Sequence, residues 1–265
     1  MMLPENIVKK RLKEGEVVLG TMMSVVRNPA VSGLIAQAGF DFLIFNMEHA
    51  DYSIQTVSDL LLGARATGIP ALVRVPDTLY HLMARTLDCG ASGLIIPRTE
   101  TKEQVETIIR STKYAPLGAR GASTRAAHSD FSTVGAAEFV KKANEETLIV
   151  LQVETKKGID NLEEMLSVAG PDVAFIGPLD LSQTLGVTGQ ITHPEELKCF
   201  QRVIDVAEKH AVAPGIHLND MEMTKEWIGR GMRFIVFRSD ISMLADAAKP
   251  WTKELKDYAQ SIRKG

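Results

Sequence analysis

Cysteine is scarce in this chain, and so are long apolar runs, an excess of basic residues and glycine-rich phosphate loops. Each shortage removes a class of function. The two cysteines among 265 residues, Cys89 and Cys199, stand far apart without metal-ligand spacing. That argues against a disulfide framework or a thiolate zinc site and suits a reducing compartment. No apolar run approaches the roughly 18 residues needed to span a bilayer, and Met1–Glu16 carries charges where a signal peptide would have its apolar core. The expectation is a cytoplasmic protein with no membrane partner. Lysine and arginine number 30 against 33 acidic residues, so no basic surface is available for nucleic acid. Neither G-x-G-x-x-G nor G-x-x-x-x-G-K-[ST] occurs, which weighs against a doubly wound nucleotide-binding sheet.

What the chain does have is alternation. Short apolar runs, read as strands, fall at Val17–Met23, Phe42–Asn46, Ala71–Val75, Gly93–Pro97, Leu148–Val153, Val173–Ile176, Ala213–His217 and Phe234–Phe237. After an amphipathic opening at Ile7–Glu14, helical spacing marks Ala30–Ala38, Ile54–Thr67, Tyr80–Asp88, Lys102–Thr112, Gly158–Val168, Pro194–Lys209, Met221–Gly229 and Ile241–Ala247. Gly39, Gly68, Gly90 and Gly231 sit where these helices should stop. The pattern predicts an α/β fold, a (β/α)8 TIM barrel forming a single domain over residues 1–265. One connection is too long for the pattern, Tyr114–Glu146, with a helix expected at Gly135–Asn144. It reads as a lid over the site or as a surface excursion packed on a neighbouring subunit.

Polar residues cluster where strands give way to helices, the end of a barrel at which reactive groups gather. Glu154 and Asp180 each follow an apolar run, one strand–helix unit apart, so a right-handed crossover would set them side by side. Two adjacent carboxylates call for a cation with hard oxygen ligands, although Asp180 could equally cap the helix after it. Arg74, at the end of its strand, offers a fork of donors for a carboxylate, or else an ion pair with an acidic neighbour. His49 follows Glu48 and could move protons near neutral pH, or be structural. Gln152 shares a strand face with Glu154 and could hold a ligand or satisfy the core. Gly177-Pro178 opens a helix, and the Leu179 amide there could receive an anion. Asp88 ends a helix, where the dipole disfavours a carboxylate; a partner would offset this, although an exposed aspartate would need none.

The runs G-F-D-F-L-I-F-N-M-E-H-A (39–50), V-R-V-P (73–76), L-D-C-G-A (87–91), K-Y-A-P-L-G-A-R-G (113–121), L-Q-V-E-T (151–155) and F-I-G-P-L-D-L-S (175–182) together resemble the HpcH/HpaI aldolase family of the phosphoenolpyruvate/pyruvate barrel superfamily. The resemblance covers nearly the whole chain, in order. It implies a metal-dependent class II aldolase that cleaves a 4-hydroxy-2-oxo acid, such as a 2-keto-3-deoxy sugar acid, to pyruvate and an aldehyde. It implies Glu154 and Asp180 as ligands of Mg2+, Mn2+ or Co2+, Arg74 as the pyruvate-binding arginine, His49 as the catalytic histidine and Asp88 as part of the acid–base network. Gln152, Gly177, Pro178 and Leu179 would line the substrate site. A homo-oligomer is also implied, a hexamer or trimer of dimers with exchanged C-terminal helices. No strand-end lysine is in place for a Schiff base, in keeping with the metal route.

Two departures bear on chemistry. The family's common D-G-E-H is Asn46-Met47-Glu48-His49 here, which removes a carboxylate that could tune His49. Residues 21–29 lack the aromatic residue frequent after the first strand, which reshapes the pocket wall. Two other functions fit the same residues, a carbon–carbon lyase of the citrate/malyl-thioester type and a non-catalytic oxo-acid-binding relative.

Overall fold

The computed structural model describes residues 4–131 and 135–263. The first half of the chain runs α1 (Ile7–Lys13), β1 (Val18–Met23), α2 (Val31–Gln37), β2 (Phe42–Asn46), α3 (Ile54–Thr67), β3 (Ala71–Arg74), α4 (Tyr80–Asp88), β4 (Gly93–Ile96), α5 (Lys102–Thr112) and α6 (Ala136–Glu146). The second half runs β5 (Leu148–Val153), α7 (Lys156–Asp160), α8 (Leu162–Leu166), β6 (Val173–Ile176), α9 (Pro178–Thr184), α10 (Pro194–Lys209), β7 (Ala213–Leu218), α11 (Met221–Arg230), β8 (Phe234–Ser239) and α12 (Asp240–Arg263). The eight strands are parallel and close in sequence order, with β8 pairing back onto β1. The predicted barrel is the observed one.

Strand alternation divides the core in two. Leu43, Phe45, Val73, Leu151 and Ile216 point outward and pack under the helices. Phe42, Ile44, Leu72, Val150, Phe175, Phe234 and Val236 point inward, as the two-residue period of a strand requires. Three phenylalanines fill the axis: Phe234 stacks on Phe42 at 4.5 Å and meets Phe175 edge-on at 5.6 Å. Burying each such ring stabilises the fold by roughly 1.5–3 kcal/mol. Gly20 makes this possible, because a Cβ there would collide with the Phe42 ring. Helix α1 closes the amino-terminal mouth, with Val8 and Leu12 in the inner cluster and the Asn6 amide donating to the carbonyls of Ser92 and Glu146 at 3.0 Å each.

Three expectations change. The helix anticipated at Gly158–Val168 is two short helices that meet at Asn161, whose amide donates to the Glu100 carbonyl at 2.9 Å. The helix anticipated at Ile241–Ala247 continues through Pro250 to Arg263, so the expected helical C-terminal segment belongs to it; residues 264 and 265 lie outside the described residues. The long connection at Tyr114–Glu146, of which residues 132–134 lie outside the described residues, joins the end of α5 to the start of β5. Helices of a parallel barrel run antiparallel to its strands, so this connection lies at the amino-terminal mouth. Within one chain it cannot be a lid over the carboxyl-terminal rim.

Candidate active site

Inside the barrel the apolar layers give way to a polar one at the carboxyl ends of the strands. Asn46, Arg74 and Gln152 continue the inward faces that Ile44, Leu72 and Val150 occupy one step below. Glu154 follows two residues after Gln152 and is 1% exposed. Its carboxylate accepts from the Arg98 amide at 2.8 Å and from the Gln152 side-chain amide. Neither partner carries a cation to it. Burial, with Glu48 and Asp180 adding their negative charge, pushes the Glu154 carboxyl up to about 7 despite those hydrogen bonds. Asp180 lies in the first turn of α9, half-buried. Gly177 brings the two strand ends together, because a Cβ there would strike both the Glu154 carboxylate and the Gln152 amide. Asp180 is near enough for its charge to act on Glu154, and Pro178 is buried at the first position of the helix that carries it.

Arg74 is 7% exposed and held from two sides. Its Nε donates to the Asn46 carbonyl oxygen at 3.0 Å, and its Nη1 lies 3.2 Å from Glu48 Oε2. Burial pushes the guanidinium's pKa down, while Glu48, Glu154 and Asp180 pull it back up. Among the described residues Nη2 has no hydrogen-bond partner, so the outer edge of the fork stays available to an anion. Burial likewise pushes the Glu48 carboxyl up, against the pull of Arg74. Glu48 also lies between Arg74 and His49, whose Nε2 is 3.7 Å from Glu48 Oε1 and whose side chain is 59% exposed. Of the sequence alternatives for Arg74, the ion pair is realised with Glu48 on one edge, and the other edge is an unpartnered donor.

Asn46 does not touch the imidazole of His49. Its carbonyl oxygen accepts from Arg74 Nε and from the backbone amides of Glu48 and His49, at 3.1 and 3.3 Å, and its amide donates to Ser24 Oγ at 3.2 Å. The residue anticipated as a lost tuner of His49 is instead the hub that orients Arg74. The loop carrying Ser24 is itself fixed by Asp240, whose buried carboxylate accepts the amides of Ser24, Val25 and Val26. No motif in the sequence points to Asp240.

Asp88 does not join this group within one chain. It ends α4 at the amino-terminal mouth, where Arg120 ion-pairs with it at 2.5 Å and His128 Nδ1 lies 3.1 Å from its carbonyl oxygen. The expected partner for a helix-end carboxylate is therefore Arg120.

Two observations test whether a metal ion fits the rim. Gln152 Oε1 is buried without a hydrogen-bond partner, an arrangement that costs free energy unless a ligand, ion or water completes it. Glu154 and Asp180 supply two carboxylates, and no group of three or more metal-ligating side chains occurs among the described residues. A donor set of one or two carboxylates, completed by water and substrate oxygens, is the mode of Mg2+ and similar hard cations. The residues present fit such an ion.

Residues 21–247 match the HpcH/HpaI aldolase/citrate lyase family. A hydroxypyruvate/pyruvate aldolase of Roseobacter denitrificans is 32% identical over 94% of this chain and 96% of that protein. A 5-keto-4-deoxy-D-glucarate aldolase of Shigella dysenteriae is 31% identical over 92% and 94%. The crystal structure of an HpcH/HpaI aldolase from Desulfitobacterium hafniense superposes with a TM-score of 0.90 at 33% identity, covering 94% of this chain and 96% of that one. The barrel, the order of its motifs and these likenesses agree: the chain belongs to the HpcH/HpaI aldolase/citrate lyase family and is a carbon–carbon lyase of the aldolase kind.

Proposed function

We propose that the carboxyl-terminal rim binds a 4-hydroxy-2-oxo acid and a divalent cation, Mg2+, Mn2+ or Co2+, and releases pyruvate and an aldehyde by retro-aldol cleavage. The observation that carries this reading is a buried Glu154 near Asp180 with no cationic side chain bonded to it, close to an arginine with one free edge. Glu154 and Asp180 would hold the cation, which would supply Lewis acidity at the keto oxygen. Arg74 takes the substrate carboxylate on its free Nη2 edge, since Nε and Nη1 are already committed to Asn46 and Glu48. Gln152 Oε1, Gly177, Pro178 and the Leu179 amide form the floor beside Glu154. His49, exposed at the mouth, removes the proton from the C4 hydroxyl; as the C3–C4 bond breaks, its electron pair stays with C3, which takes a proton back to give pyruvate, and C4 leaves as the aldehyde. The relatives named for hydroxypyruvate, pyruvate and 5-keto-4-deoxy-D-glucarate support a 2-oxo acid substrate of the sugar-acid class.

Asp88 can serve this reaction only if a neighbouring subunit brings it to the rim. Assembly has its own support. Leu244, Trp251, Leu255, Tyr258 and Ile262 form one stripe of α12 and are all more than 60% exposed, an apolar face that a lone chain leaves uncovered. Exchange of α12 between subunits of a homohexamer, a trimer of dimers, would bury it. No helix among the described residues is long and apolar enough to cross a membrane, and the scarcity of cysteine supports a cytoplasmic setting.

The test is pyruvate release from 4-hydroxy-2-oxo acids after chelation and metal addition. Turnover should return with Mg2+, Mn2+ or Co2+ and be lost in Glu154→Ala and Asp180→Ala. Full activity of either variant, or metal-independent turnover, would overturn the assignment.

A further inference from the structure

His217 is a partly accessible histidine in the inner wall of the barrel, and the chemistry above makes no use of it. Along β7, Ile216 packs in the outer cluster and Ala213 against the inner one. A Cβ at Gly215 would meet the axial ring of Phe234. Ala213, Gly215 and His217 therefore share the inward face, and His217 sits in the polar layer with Asn46, Arg74 and Gln152. β7 is hydrogen-bonded to β6, the strand that leads to Asp180.

Its tautomer follows from one contact. His217 Nε2 lies 3.2 Å from the Arg238 carbonyl oxygen. A carbonyl can only accept, so Nε2 carries the proton. Burial and the charge of Arg74 both oppose a second proton and push the imidazole down to about 4. The ring is neutral at physiological pH, and Nδ1 is a bare lone pair with no partner among the described residues. The contact itself is built at a cost in backbone strain. Arg238 is not a glycine, yet it holds φ 59°, at a register shift between β8 and β1. That turn leaves its carbonyl as the acceptor for His217 and for Thr21 Oγ1, at 3.4 Å. Its side chain pairs with Asp246 at 2.7 Å. Strained non-glycine residues persist where the surroundings require them.

We propose that His217 is a specificity-determining residue: its Nδ1 accepts a hydrogen bond from a hydroxyl group of the bound 2-oxo acid, so the site favours hydroxylated over alkyl 2-oxo acids. The inference rests on the reading of the rim as an oxo-acid site. A fixed acceptor that the bound acid shields from water rewards a ligand hydroxyl. It also penalises a hydrocarbon that leaves the lone pair unpaired, which is how a polar site discriminates more sharply than an apolar one.

Three proteins, the wild type, His217→Leu and His217→Asn, separate the possibilities. Asparagine keeps an acceptor oxygen near the place of Nδ1, and leucine keeps only bulk. The readout is metal-dependent exchange of the C3 protons in deuterated water, measured with pyruvate and with hydroxypyruvate. His217→Leu is expected to lower kcat/KM for hydroxypyruvate about 10-fold or more, with pyruvate within about twofold. His217→Asn should recover part of the preference. In the wild type, nitrogen NMR should show His217 protonated at Nε2 only and not titrating between pH 6 and 8. Equal losses on both substrates, an unchanged ratio in a leucine variant that melts with the wild type, or a doubly protonated ring at pH 7 would each overturn the proposal. Wild-type exchange on neither substrate would instead strike the reading of the rim, and this inference with it.

Discussion

Replacing Asn46 by alanine tests whether this residue aims Arg74. The Asn46 carbonyl accepts one bond from the guanidinium and two from backbone amides, and the residue is 2% exposed. Water cannot readily replace it. A hydrogen bond to a charged donor contributes about 1.5–3 kcal/mol. If that bond sets the direction of the Nη2 edge, its loss should lower kcat/KM by roughly 10- to 150-fold. Arg74 grips the carboxylate in ground and transition states alike, so most of the loss should appear in KM. Asn46→Asp is the informative companion, because it keeps the acceptor and adds a charge beside Glu48. It should retain the orientation of Arg74 and recover most of the KM. The assay is pyruvate release coupled to NADH oxidation, with each variant's thermal melt recorded alongside. A folded Asn46→Ala protein whose kcat/KM stays within about twofold of wild type would refute the claim that Asn46 positions the arginine.

Two further predictions concern stability and assembly. Glu196 is 0% exposed with neither carboxylate oxygen bonded, and burial pushes it from 4.5 up to about 7. The folded state keeps the proton that the unfolded state gives up, so stability is full below about pH 4.5 and is lost as pH rises toward 7, by about 3 kcal/mol. Glu196→Gln should therefore gain on the wild type in urea melts between pH 5 and 8, and a pH-independent difference would remove the explanation. Ending the chain at Ala248 removes most of the exposed stripe of α12 and should reduce the mass measured by light scattering to that of a smaller assembly. An unchanged mass would show that α12 does not hold the subunits together.

The fold was readable because alternation in this chain is regular: each of the eight apolar runs became a strand, with ends shifted by two residues at most. Glu154, Asp180, Arg74 and Gln152 were readable as a group for the same reason, since strand ends fall on one rim once the barrel is accepted. That rule also contains the correction to the lid and to Asp88. Tyr114–Glu146 follows a helix and precedes a strand, and Asp88 ends a helix, so both belong to the opposite mouth. Within one chain, topology keeps both of them away from the rim. Asn46 could not be read, because its partners come from β3, from its own turn and from the Ser24 loop, contacts that exist only after closure. His217 had a weak signal in the small, inward-facing Ala213 and Gly215 before it. Nothing in the sequence announces the left-handed turn at Arg238 that fixes its proton.

The division of the interior explains how one barrel tolerates such a site. Below the rim, the inner wall is closed by the apolar contacts of Phe42, Phe175 and Phe234 and by α1, which Val8, Leu12 and the hydrogen bonds of Asn6 hold in place. Above them, Asn46, Glu48, Arg74, Gln152, Glu154 and His217 are largely satisfied by one another or by backbone, but among the described residues Gln152 Oε1, Arg74 Nη2 and His217 Nδ1 have no partner. Those three atoms comprise two acceptors and one donor. A bare dicarboxylic pocket would attract a cation and nothing else. Here the acceptors around Glu154 suit a cation and its waters, the arginine edge suits a carboxylate, and His217 suits a hydroxyl. A hydroxylated oxo acid with its metal carries complements to all of them, whereas an inorganic anion would satisfy only Arg74 and leave both acceptors unpaired.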